Sequence, residues 1–404
     1  MKKLVGLLLF LPILLNYFPA LTGAQDYEKP PLMKASRVLP PELLKSAVHQ
    51  VREDVTSEGY LYHFIVESQF GLYDIESLDL LRIRVHEIKT LANVIEKNQT
   101  HEFMNGLKNQ LYQTMNAPVQ IIQDPLGSIS AMGQGVGKQF QRIGNLFKSR
   151  EKSTQEDTGL RTVMVSAEKR KLAAELNLDV YSTNPKVQDF LNSVAEARAR
   201  GTLAMKFATF AIPGGAGIAV SALSYSGNVE DLLRDNSPMD LYVLNEKKLR
   251  EMGFDSYRTG RFLNHPDLSP RHKTVIVAAL ESMKGVSGRE ALLDAALNTE
   301  GKESLALFQE NRAVLLSKYH ARFSRLKQIQ MQNGIPTAVT ESGKNLVLLP
   351  IDIAYWTEDA EAILHGLAEI PGEWDLVITG QITSQGQAGA EAAGFKVITG
   401  FGQN

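Results

Sequence analysis

An apolar run from Trp374 to Thr379 stops at a glycine, and Gly380-Gln381-Ile382-Thr383-Ser384 follows. A strand that ends there can turn sharply at Gly380, and Thr383 or Ser384 can cap the helix that begins behind it. Free backbone N–H groups at such a helix start attract a carboxylate or a phosphate, which makes Gly380, Thr383 and Ser384 the candidate ligand-binding residues. Asp352 falls near the end of a neighbouring expected strand, where open α/β sheets bind their ligands, and is the candidate catalytic carboxylate. The same turn without a ligand is an ordinary helix cap, and that reading stands beside the functional one.

A second group lies in Asn264-His265-Pro266-Asp267-Leu268-Ser269-Pro270-Arg271-His272. Imidazole and carboxylate ligands suit zinc, so His265, Asp267 and His272 are the candidate metal set. Their spacing is not the i, i+4 of a helical ligand pair. Pro266 and Pro270 suggest a helix–helix corner in which Asp267 or Ser269 caps the helix starting near Arg271. The run Gly133-Gln134-Gly135-Val136-Gly137-Lys138-Gln139 resembles a phosphate loop only in its glycines. Met132 stands where a Walker A glycine is needed and Gln139 where Ser or Thr is needed, and no apolar strand precedes it. With no nucleophile elbow, no zinc-protease helix and no calcium loop in the chain, neither a cofactor nor a reaction is implied.

The elements that would have to position these residues divide the chain. Ile129, Met132, Val136, Phe140, Ile143 and Phe147 are spaced 3, 4, 4, 3 and 4 apart, a single-sided apolar stripe on a helix. Gly133, Gly137 and Gly144 lie beside it, at a cost of about 1 kcal/mol each relative to alanine, which suggests close approach by another backbone. Lys138, Arg142 and Lys148 lie off the stripe. This is the candidate interaction helix, and it suits a protein partner or an anionic membrane surface. Residues 138–171 carry nine basic side chains against four acids, while residues 341–404 carry nine acids against two lysines. The basic segment lacks interleaved aromatics, so no nucleic-acid partner is expected.

Lys2 and Lys3, the apolar run Leu4–Leu15 and the small residues Thr22-Gly23-Ala24 have the layout of a secretory signal peptide, with cleavage expected before Gln25. The expectation is export to a bacterial periplasm or the extracellular space. The complete absence of cysteine favours a chain stabilised by core burial alone. Phe207–Val229 is uncharged, but Pro213-Gly214-Gly215-Ala216-Gly217 interrupts it. Two buried segments joined by a turn fit better than a membrane span, and no permanent transmembrane helix is expected after cleavage.

The fold expected is α+β. After the signal (1–24) and an extended leader (25–41) come a small α+β domain with a β-meander (42–116), the amphipathic helix and polar linker (117–160), a helical domain (161–333) and a small α/β domain with a largely parallel sheet (334–404). A helix is expected over Ser304–Gln332. Net charge of −2 over 404 residues excludes a general polyanion binder. The function expected is a non-catalytic, exported interaction protein. Two alternatives remain open: a hydrolase or ligand-binding protein using the C-terminal domain, and a membrane-inserting factor using Phe207–Val229.

Overall fold

A computed structural model describes residues 27–97, 167–199 and 228–402. The signal segment, the Ile129–Phe147 stripe, the polar linker and all of Phe207–Val229 except its last two residues lie outside the described residues. Among the described residues no helix is long and apolar enough to cross a membrane.

The chain is mixed α+β, as its periodicities imply. The N-terminal unit comprises β1 (Met33–Lys34), α1 (Ala35–Val38), α2 (Pro41–Leu44), β2 (His49–Val51), β3 (Asp54–Glu58), β4 (Leu61–Ser68), β5 (Gly71–Glu76) and α3 (Leu78–Lys97). Strand β4 is central. It pairs antiparallel with β5 along one edge, while β2 and β3 share the other edge in succession. Between β2 and β3 the chain steps along β4, the Arg52 amide donating to the Ile65 carbonyl at 2.8 Å. Tyr62, Phe64 and Val66 are buried on one face of β4, and α3 buries Leu81, Val85, Ile88 and Leu91 in the same core.

The helical middle comprises α4 (Ala167–Glu175), α5 (Pro185–Ala199), α6 (Asn228–Asp235), α7 (Pro238–Glu251), α8 (Ser256–Leu263), α9 (Pro270–Ser282), α10 (Glu290–Ala296) and α11 (Glu303–Arg322). Its helix starts are written in the sequence. Ser237 and Asp240 form a reciprocal capping box, Asp255 caps α8, and Ser269 accepts from the His272 amide to cap α9.

The helix expected to run to Gln332 ends at Arg322. Leu326–Gln332 is instead strand β6, which pairs antiparallel with β7 (Ile335–Thr340). The cause is the two-residue turn Asn333-Gly334, both of whose φ angles are positive, at 49° and 79°. Asn-Gly is the residue pair such a hairpin demands, and it outweighs the helix propensity of the preceding residues. Beyond it come β8 (Asn345–Leu349), β9 (Ile353–Ala354), α12 (Glu358–Ala368), β10 (Trp374–Ile378), β11 (Gln381–Ile382), α13 (Ser384–Ala392) and β12 (Phe395–Ile398). The five-stranded sheet has the order β12-β10-β8-β7-β6. Strands β8, β10 and β12 are parallel, but β6, β7 and β8 are antiparallel, so the sheet is mixed where a largely parallel one was expected.

This sheet is covered on both faces, which explains its nearly continuous apolar strands. Val347, Leu376 and Ile378 belong to the core that also holds the meander, α3, α4 and α5. Leu346, Leu348 and Val377 point the other way, into a core shared with α8, α9 and α10. Helix α11 supplies both: Leu305 and Phe308 to the first, Val314 and Leu315 to the second.

Candidate functional site

The turn at Gly380–Ser384 is built as its residues suggest. Thr383 caps α13, its Oγ1 accepting from the Gly386 amide at 2.9 Å. Gly380 is required by close packing, since a Cβ there would lie 2.0 Å from the Asp352 carbonyl oxygen. Ser384 opens α13. A carboxylate does sit at this turn, and it is the chain's own Glu28. Its Oε2 accepts from Thr383 Oγ1 at 2.6 Å and from the Trp356 amide at 2.6 Å, while the Glu28 amide donates to the Trp356 carbonyl at 2.7 Å. Tyr27 adds a hydrogen bond to Glu361 at 2.7 Å, so the residues before β1 are strapped to the C-terminal unit.

Asp352 is buried and serves as a bridge between units. Its Oδ2 accepts from the amides of Tyr62, on β4, and Leu78, at the start of α3, at 2.8 and 2.9 Å. Its own amide donates to the Tyr60 carbonyl at 3.0 Å. Burial pushes its carboxyl up to about 7; the two backbone hydrogen bonds oppose the shift and the nearby Asp79 adds to it. That value suits a general acid or base, yet neither of the two cavities described below is lined by Asp352.

The three residues of the candidate metal set diverge. Asp267 accepts from Thr299 Oγ1 at 2.6 Å and from the Gly301 amide at 2.9 Å, tying down the approach to α11. His272 Nδ1 lies 2.7 Å from Glu310 Oε2. The His265 imidazole is pushed down by burial, which the charge of nearby Asp267 opposes only in part. Among the described residues no group of three or more such side chains is gathered to hold a metal ion.

The sequence did not reveal a cleft of about 800 Å³ among the described residues. It is walled by α3, α4, the 177–183 connection, α6 and the starts of α9 and α11. Two polar networks line it. On one wall Glu87 accepts from Arg84, Ser182 and Asn184, and Arg84 also pairs with Glu303. In the second network Arg271 and His272, which line the cleft, both reach Glu310 behind them, Arg271 at 2.9 Å, and Arg271 lies 3.8 Å from Asp179. Burial alone would raise the Glu310 carboxyl, but Arg271 and His272 overcome it and hold the group below its usual range. Asp179 is pushed the other way, by burial that Arg271 offsets only in part.

Only Asp267 and His272 of this cleft were singled out in the sequence. Glu310 carried a faint signal, as an acid in the middle of an apolar helix. Arg84 and Glu87 offered only an i,i+3 pair on α3 and Asp179 nothing, because their other partners are distant in the chain. No family model, no curated protein and no solved structure matches this chain.

Proposed function

We propose that this chain is a non-catalytic binding protein, acting after export, whose described site is the polar cleft between α3, the α4–α5 connection, α6 and the starts of α9 and α11. One observation carries the reading: a ligand-sized concavity whose charged walls are held in place by buried partners. A cleft of about 800 Å³ is within the range that takes small molecules. Arg271, clamped between Glu310 and Asp179, and Glu87, held by three donors, are preorganised groups of opposite sign that both line the cleft. They suit a small zwitterionic or otherwise polar ligand, since a fixed charge binds without reorganisation. Arg234 and Lys302 lie on the rim and can be changed without touching these networks.

The test is a thermal-shift and calorimetric screen of the full chain against amino acids, short peptides and phosphorylated sugars. The reading requires saturable binding that Arg234→Ala or Lys302→Ala weakens at least fivefold in a chain that still folds. A wild-type chain that binds none of these, or binds equally well in both variants, overturns it.

The docking role of the Ile129–Phe147 stripe rests on its residue spacing and is part of the same proposal. Phe140→Asp should abolish co-sedimentation with anionic liposomes, and Lys138, Arg142 and Lys148 should make that binding salt-sensitive. A second reading, a hydrolase, draws on the His272–Glu310 pair, in which a carboxylate orients an imidazole on a cleft wall. Hydrolytic turnover lost in His272→Gln would favour it.

A further inference from the structure

A separate cavity of about 90 Å³ lies inside the C-terminal unit, between one face of its sheet, α12, α13, the start of α11 and the Tyr60 turn. Leu305, Phe308, Ile363 and Ile378 are typical of its wall, which is almost wholly apolar. Trp356 also lines it. Trp356 is 3% exposed, and its indole Nε1–H has no hydrogen-bond partner among the described residues. A buried donor left unpaired is destabilising, so such a group calls for an explanation.

Water is a poor one, because apolar cavities stay dry even when they are larger. Looseness of the indole is also a poor one. Glu28 fixes the Trp356 backbone on both its amide and its carbonyl, and the ring packs so closely on Gly389 that a Cβ there would lie 2.3 Å from it. The ring that carries this donor is thus rigidly held beside the apolar cavity that Trp356 lines. We propose that this cavity is a binding site for a short, unbranched apolar chain carrying one hydrogen-bond acceptor, such as an alcohol, aldehyde or ketone, with Trp356 Nε1 donating to that acceptor. A cavity of about 150 Å³ accommodates benzene, so one of about 90 Å³ favours a slender chain over a ring. The site is independent of the polar cleft.

The protein's own indoles provide the test. It has two tryptophans, and Trp374 Nε1 already donates to the Ile370 carbonyl at 3.2 Å. In the full chain labelled with ¹⁵N-tryptophan, 1-propanol should move the Trp356 indole N–H signal downfield and saturably. The Trp374 signal should stay, with Trp374→Phe fixing the assignment. Ala390→Phe, which fills the cavity from α13, should weaken binding at least tenfold without lowering Tm. Ala360→Leu fills it from α12 and serves if the first variant does not fold. Propane, which lacks the acceptor, should leave the indole N–H near its free position. An indole signal that does not respond, responds without saturating, or responds equally in a folded cavity-filled variant overturns the proposal.

Discussion

Glu28 and Thr383, 355 positions apart, meet through a hydrogen bond of 2.6 Å from the threonine hydroxyl to the carboxylate. Thr383 is at the same time the N-cap of α13. One hydroxyl therefore closes a helix and fastens the first described residues to the last α/β unit. The Gly380–Ser384 turn was read as a place for a carboxylate, and the chain fills it from within.

The first prediction follows from that double duty. Thr383→Ala removes a cap worth about 1 kcal/mol and also one anchor of Glu28. Glu28→Ala removes the anchor alone. The double variant should therefore be less destabilised than the sum of the two singles, and a double-mutant cycle by urea unfolding measures the difference. Strict additivity would show that the strap and the cap are energetically separate.

Asp352 gives a prediction about pH. Its folded-state carboxyl sits near 7 against an ordinary value of 3.8. A raised carboxyl means that the native state holds a proton the unfolded chain has released. Its contribution is thus full below about 3.8 and is lost as pH rises through about 7. Asp352→Asn retains an acceptor for the Tyr62 and Leu78 amides and removes the titration. Denaturant unfolding between pH 4 and 8 should give a stability difference, variant minus wild type, that grows in favour of the variant as pH rises. A difference independent of pH would show that Asp352 does not titrate in this window.

How much of this was legible in the sequence depends on the range of the interactions. The α9 start at Ser269-Pro270, the β4–β5 pair and the Thr383 cap are local patterns, and each was readable. The β6–β7 hairpin was equally local, since Asn333-Gly334 is its signal, but the helical pattern running through Leu315, Tyr319 and Phe323 was extended too far, to Gln332. Glu28 at Thr383, Asp352 at Tyr62 and Arg84 at Glu303 were out of reach, because nothing in a single chain pairs residues hundreds of positions apart. The mixed sheet follows from the same hairpin: once β6 and β7 are antiparallel, only β8, β10 and β12 remain to run parallel.

Gly380 should not tolerate a side chain. A Cβ there would lie 2.0 Å from the Asp352 carbonyl oxygen, which itself accepts the Gln381 amide in the β9–β11 pairing. The neighbour is backbone, so relief requires moving a strand. Gly380→Ala should lower stability by about 2–3 kcal/mol, the upper part of the range for overpacking. Gly343→Ala is the control for backbone strain alone, since its φ is +87° but nothing lies within 4 Å of the added carbon. Equal losses in the two would show that the contact with Asp352 is relieved at little cost.

The last prediction concerns the buried network on the cleft wall. Arg271 and His272 both reach Glu310 Oε2, and the Glu310 carboxyl is held below its ordinary value of 4.5. A depressed carboxyl stabilises the fold above its unfolded pKa, and that contribution is lost as pH falls through the folded one. Glu310→Gln leaves Arg271 facing only Asp179, at 3.8 Å. Breaking a buried pair from one side costs about 3–5 kcal/mol, because the remaining charge is stranded. The variant should therefore be less stable by an amount in that range at pH 7, and the gap should narrow below pH 4. Replacing the pair together, as Arg271→Met with Glu310→Leu, should recover only part of the loss, since the Arg271–Glu310 pair then goes as a unit while Asp179 loses Arg271. A double variant as unstable as Glu310→Gln would mean that the cleft wall needs these charges for its packing, and not only for each other.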